Sequence, residues 1–302
     1  MILNGTKEQR DAWHRDRGHE VGLFIHKLIH KENIPPISAD RKTGGIILLG
    51  WSAGAGDANA TIAHAVTLQP DVRSHLTLYM RSVIIQGVCL CVLPLLGATR
   101  VLSKGDFALD SHRVMFGGLP DQNENSPLVD DKVSREEKLH NFAYWVSGYY
   151  KHGDISTQNA DVLSRVESPT THPATVTNIT ADEQKEMICV GNESDYEIPC
   201  MVSSQQQFAY AYREAFFGDN VRELFPGFKA TFLAGELSPP FAIYAYWMLE
   251  NDIKEAGKSF GLVLIPDSNH FVSLSTSFVR APIIMPLTAP LGRSGKGPED
   301  LS

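Results

Sequence analysis

The apolar run Ile46-Ile47-Leu48-Leu49 opens directly into Gly50-Trp51-Ser52-Ala53-Gly54, and this junction limits what the chain can fold into. A short apolar run bounded by glycine reads as a buried strand. The alanine-rich stretch after it, residues 55–68, carries Ile62, Ala63, Val66 and Thr67 at helical spacing. Strand, tight turn and helix in that order are the setting in which Gly-x-Ser-x-Gly lifts a serine oxygen clear of its neighbours. Serine is a weak nucleophile, so it needs that clearance and a base to take its proton. Side chains at positions 50 and 54 are expected to collide with the turn. The helix start would aim free N–H groups at Ser52, the Ala53 amide foremost, where a developing oxyanion would be stabilised. Trp51 is expected to face the substrate. The same pentapeptide also suits a glycine-rich turn without chemistry, or a phosphate cradle.

A second buried strand is expected over residues 260–265, followed by Pro266-Asp267-Ser268-Asn269-His270-Phe271-Val272. Of the eleven histidines, His270 is the one placed just past a late strand in a small polar loop. A base that follows its serine by a long stretch of chain fits the order serine, acid, histidine.

Gly50 to Gly54 and Asn269-His270-Phe271 resemble the nucleophile elbow and histidine loop of the α/β-hydrolase superfamily, and the N-terminal stretch is similar to fungal members of uncharacterised function. The likeness covers residues 10–100 and 225–275. It implies an α/β fold, a mostly parallel sheet flanked by helices with a helical cap inserted. It also implies a serine hydrolase acting on a small apolar ester-like substrate without a cofactor. Fold alone does not choose among the reactions such proteins perform.

The third triad member is less well marked. In many members of that superfamily an aspartate stands three residues after the glycine that ends the preceding strand; here the strand 228–234 is followed by Gly235-Glu236-Leu237-Ser238, and Ser238 holds that place. Glu236 is the nearest carboxylate and is the expected orienter of His270. Gln86, after the strand 81–85, and Asp267 are the other candidates. Only some forty residues precede the elbow strand, where the superfamily has its first strands and a second oxyanion donor. The chain therefore reads as lacking the N-terminal part of the sheet, with turnover in doubt. The alternative function is a degenerate hydrolase-like scaffold that binds a small apolar ligand or partner.

The expected organisation is residues 1–96 as the first part of the core, 97–226 as a cap, 227–287 as the second part and 288–302 as a disordered tail. Residues 7–31 read as a long helix with Val21, Phe24, Ile25, Leu28 and Ile29 on its apolar face. Cap helices are expected at 134–151 and 204–224, both rich in aromatics, with a polar surface loop over 164–182. A further helix is expected over 240–256. His26 and His30 stand four apart on the first helix, with His19 nearby, and could chelate a metal. No third ligand follows at matching spacing, so a solvated helix face is expected and no metal.

At 302 residues and 43% hydrophobic content the chain can bury a substantial core. A net charge of −8 with scattered lysines and arginines argues against nucleic acid. The four cysteines, at 89, 91, 189 and 200, show no zinc-finger spacing. The longest apolar run, 83–96, is broken by Gln86 and Pro94 and is too short to span a bilayer. No secretory signal opens the chain, so a cytoplasmic setting is expected.

Overall fold

The structure, a computed structural model, describes residues 5–87, 127, 132–168, 172–187 and 204–272. It is an α/β fold around a four-stranded sheet. The strands are β1 (Ile46–Trp51), β2 (Met80–Gln86), β3 (Lys229–Gly235) and β4 (Gly261–Ile265), in the order β1-β2-β3-β4. Every pair is parallel, with Trp51 opposite Gln86, Gln86 opposite Leu233, and Gly235 opposite Ile265. Because all four strands run the same way, the residues that leave them, Ser52, Gly87, Glu236 and the 266–270 loop, emerge at one edge of the sheet. That is where open α/β sheets carry their sites.

Parallel strands require crossovers, and helices supply them. The described α-helices are α1 (Lys7–Lys31), α2 (Gly54–His64), α3 (Pro70–Tyr79), α4 (Arg135–Ser147), α5 (Ala181–Met187), α6 (Gln205–Phe217), α7 (Asp219–Leu224) and α8 (Pro240–Glu255). Ile25, Ile29, Ile62, Leu76, Val83, Ile85, Phe208, Phe216, Phe232 and Phe241 belong to one continuous core that joins helices to sheet. β1 lies at an edge and alternates in burial: Leu48 and Gly50 turn toward α2, while Ile47 and Leu49 are 45% and 53% exposed.

Helix α1 spans the expected residues, and its start is fixed by a capping box between Thr6 and Gln9. Its buried face keeps Ile25 and Ile29, with Val21 packed on the core, but excludes Phe24 and extends over small residues. His14, Gly18, Gly22, Ile25 and Ile29 point inward, and Phe24 is 62% exposed. The reason is close helix approach: a Cβ on Gly18 would lie 2.4 Å from the Ala60 carbonyl oxygen, and one on Gly22 3.0 Å from Leu68. Small residues define this part of the seam, so a hydrophobic pattern cannot locate it.

Two other expectations change. The 204–224 stretch breaks at Gly218 into α6 and α7, and α6 packs on α2 as part of the main core instead of standing over the site as a lid. Within 164–182, Ala174, Thr175 and Val176 are buried at a short 3₁₀ turn, so this stretch is not simply a surface loop. α3, for which the sequence reading made no provision, begins with Pro70 in its first turn. The four cysteines and the tail at 288–302 lie outside the described residues, as do the run from 88 to 96 and much of the expected cap.

Candidate active site

Ser52 sits at the end of β1 with φ +56, a left-handed conformation that is costly for a residue with a side chain. Three constraints hold it there. The Ser52 amide donates to the carbonyls of Gln86 and Gly87 at the end of β2, at 3.0 and 3.1 Å. Its own carbonyl accepts from the Ala55 amide at 3.0 Å in the first turn of α2. Gly50 lets the helix close on the strand, since a Cβ there would stand 2.8 Å from both Ala58 Cβ and the Gly54 oxygen. Strain kept in place by surrounding hydrogen bonds is a hallmark of sites, not of ordinary turns. Gly54 differs from expectation: among the described residues, nothing lies within 4 Å of a Cβ built on it. Only the first glycine of the motif is required by space.

His270 reaches the serine from the far side of the sheet. Its Nε2 is 3.2 Å from Ser52 Oγ, although the two residues are 218 positions apart. The loop that carries it is clamped. Asn269 is fully buried and donates through Nδ2 to the Ser147 carbonyl at 2.5 Å and to Thr175 Oγ1 at 2.7 Å, while its Oδ1 accepts from the Phe271 amide at 2.9 Å. On the other side the Leu237 amide donates to the Ser268 carbonyl at 2.8 Å, and Gly235 is tight against the Ser268 and Asn269 carbonyls. Asn269, part of the quoted histidine loop, clamps that loop, a positioning role that the sequence alone did not assign it. It was visible beside His270, but its partners come from α4 and from a stretch read as a surface loop.

The imidazole is 1% exposed and stands among aromatic rings. Phe241, Phe271 and Trp51 lie with ring centroids 5.8, 5.9 and 6.1 Å from it. Trp51 also donates from Nε1 to the His270 carbonyl at 3.4 Å and packs on Phe271, so its indole supports the histidine loop while keeping an exposed face.

The other ring nitrogen carries the correction. Among the described residues His270 Nδ1 is buried without a hydrogen-bond partner. Glu236 therefore does not hold it; its amide is committed to the Ile265 carbonyl at 2.9 Å, which starts the turn and leaves the glutamate half-exposed. Asp267 is exposed in a left-handed turn, φ +53, and Gln86 contributes its backbone carbonyl to Ser52. What adjoins Nδ1 is Gly87, φ +52, where a Cβ would come within 2.9 Å of that nitrogen. Ser238, at the place of the expected acid, is fully buried with its hydroxyl also unpartnered among the described residues.

This arrangement bears on which ring nitrogen holds the proton. For Nε2 to accept from Ser52, the proton must be on Nδ1, where a buried N–H lacking an acceptor costs about 1–3 kcal/mol. The Ala53 amide, at the N-terminus of α2, is committed to no hydrogen bond among the described residues and is open to an anion. Two cavities, of about 260 and 440 Å³, lie elsewhere and are lined by neither Ser52 nor His270. Among the described residues no helix is long and apolar enough to cross a membrane. Comparison with protein-family models, with curated proteins and with solved structures finds no match to this chain.

Proposed function

We propose that the chain is a serine hydrolase of the α/β-hydrolase type, acting on a small apolar ester-like substrate. The observation that carries the reading is the 3.2 Å approach of His270 Nε2 to a serine held at φ +56 on a strand-to-helix turn. In this reading Ser52 Oγ attacks the carbonyl carbon as its proton passes to His270. The tetrahedral oxyanion is held by the Ala53 N–H. Collapse breaks the ester C–O bond, and the proton passes to the departing alkoxide. Water, deprotonated by the same imidazole, then frees the acid and restores Ser52. The exposed face of Trp51 offers apolar surface beside the nucleophile. No step calls for a metal or an organic cofactor.

A second reading, a hydrolase-like scaffold that binds a small apolar ligand without turnover, is favoured by the unpartnered Nδ1. A fluorophosphonate probe separates the two. The hydrolase reading expects covalent labelling of the Ser52 peptide, identified by mass spectrometry, and its loss in Ser52→Ala. Folded protein that takes up no label supports the scaffold instead.

A further inference from the structure

We propose that His26, His30 and His75 form a binding site for one divalent transition-metal ion of zinc's chemical class, independent of the serine site. His26 and His30 are successive rungs on one face of α1. The third imidazole comes from α3, a helix the sequence pattern did not disclose. One nitrogen from each ring can be chosen such that all lie within 4.8 Å of one another. The His26 and His75 Nδ1 atoms are 3.0 Å apart. The rings meet at centroid distances of 4.6 to 4.8 Å.

The spacing matches what a metal demands. Zinc–imidazole bonds of 2.0–2.1 Å at tetrahedral angles put ligand nitrogens about 3.3 Å apart. The His26–His75 separation is within a few tenths of that. All three nitrogens lie within 4.8 Å of one another, and the exposed side chain of His30 has room to adjust its rotamer. The backbone beneath is fixed: Ile25 and Ile29 on α1 and Leu76 on α3 are buried next to the ligand positions, and Gly22 lets Leu68 and Leu76 pack directly on α1. Tyr79 stacks edge-on against His75 at 4.7 Å and limits its movement. The cluster consists of imidazoles with no carboxylate. That donor set suits zinc, cobalt, nickel or copper and disfavours magnesium and calcium, which take oxygen. Three protein ligands leave a fourth position for water or another small donor. His30 and His75 stack, and both meet His26 edge-on.

The test is isothermal titration of the full chain with zinc chloride, repeated on His26→Ala, His30→Ala and His75→Ala. One equivalent is expected to bind with a Kd in the micromolar range or tighter, weakened on the order of 100-fold by each substitution. Circular dichroism of the His30→Ala protein should match the parent, because that side chain is exposed. Cobalt(II) titration reads the donor type: d–d bands without a thiolate charge-transfer band are expected. A Kd weaker than about 1 mM, affinity unchanged in the His30 and His75 variants, or a thiolate band that carries the binding would each overturn the site.

Discussion

Two histidines near one loop, His152 partly buried and His270 fully buried, show what separates a structural imidazole from a reactive one. His152 uses both ring nitrogens: Nε2 donates to the Ser238 carbonyl at 2.8 Å, and Nδ1 accepts from the Ser164 amide at 2.9 Å. Its tautomer is fixed, and burial holds it below the ordinary histidine range. It ties the 152–164 turn to the residues after β3. His270 uses one nitrogen, toward Ser52, and leaves the other without a partner among the described residues. Full satisfaction makes an imidazole inert. Partial satisfaction, aimed at a strained hydroxyl, leaves a proton acceptor available at the cost of an unsettled tautomer.

The largest expected effect tests the reactive side. His270→Ala should slow fluorophosphonate labelling on the order of 1,000-fold, the worth of a positioned general base, with the native circular dichroism retained. His152→Ala should leave labelling of the folded fraction within a few-fold. It should instead lower unfolding free energy in urea by about 2–3 kcal/mol, since it strands a carbonyl and an amide and leaves a cavity. If His152→Ala were the variant that abolished labelling at full stability, the assignment of roles to the two rings would be reversed.

A second fully buried histidine sharpens the contrast. His14 on α1 is 1% exposed, with Nδ1 3.4 Å from His64 Nε2 and with Nε2 unpartnered among the described residues. It lines the 440 Å³ cavity rather than facing a hydroxyl, so an unpartnered nitrogen alone does not make a site. Burial, followed by the neighbouring His64, pushes its pKa down to about 3. The unfolded chain protonates this ring near pH 6.5 and the folded one resists. Its contribution to stability is therefore complete above about pH 6.5 and is lost progressively as pH falls toward 3. Between pH 7.5 and 5 the loss is on the order of 2 kcal/mol. Urea melts at the two pH values should show His14→Gln losing less than the parent by about that amount. Equal losses would mean that His14 is not held neutral by the fold. His64, shifted down to about 4 by burial, acts in the same direction.

How much of this was legible in the sequence depended on the kind of contact involved. The four strands were visible because parallel strands concentrate apolar residues in short runs, and the Ser52–His270 pairing followed from the ends of two such runs. The α1 face was legible at Ile25 and Ile29 but not at Gly18 and Gly22, which complete its seam, because glycine carries no hydrophobic signal. α6 looked like a lid because aromatic residues at helical spacing do not say which surface they cover; Phe208 in fact packs on Gly56 at the start of α2. The third zinc-site candidate, His75, lies 45 positions beyond His30 and meets it only through the packing of α1 on α3. Glu236 was chosen by proximity in sequence. Its amide bonds to the Ile265 carbonyl, and among the described residues His270 Nδ1 has no partner.

The smallest expected effect bears most directly on what distinguishes His270 from His152. Among the described residues two buried polar groups are unpartnered on neighbouring loops: His270 Nδ1 and Ser238 Oγ. The loops are joined by the 2.8 Å Leu237–Ser268 bond, and the Ser238 carbonyl is fixed by His152. A carboxylate at position 238 that accepts from Nδ1–H would select the tautomer whose Nε2 accepts from Ser52 and would stabilise the imidazolium formed during attack. Against this stands the cost of burying a charge, which only a close pairing offsets. Ser238→Asp should therefore raise the labelling rate about tenfold, or about 1.4 kcal/mol. Ser238→Asn, which brings an acceptor without the charge, should give a smaller gain in rate. Labelling that falls in both variants while His152 keeps its bonds would show that position 238 does not address the ring.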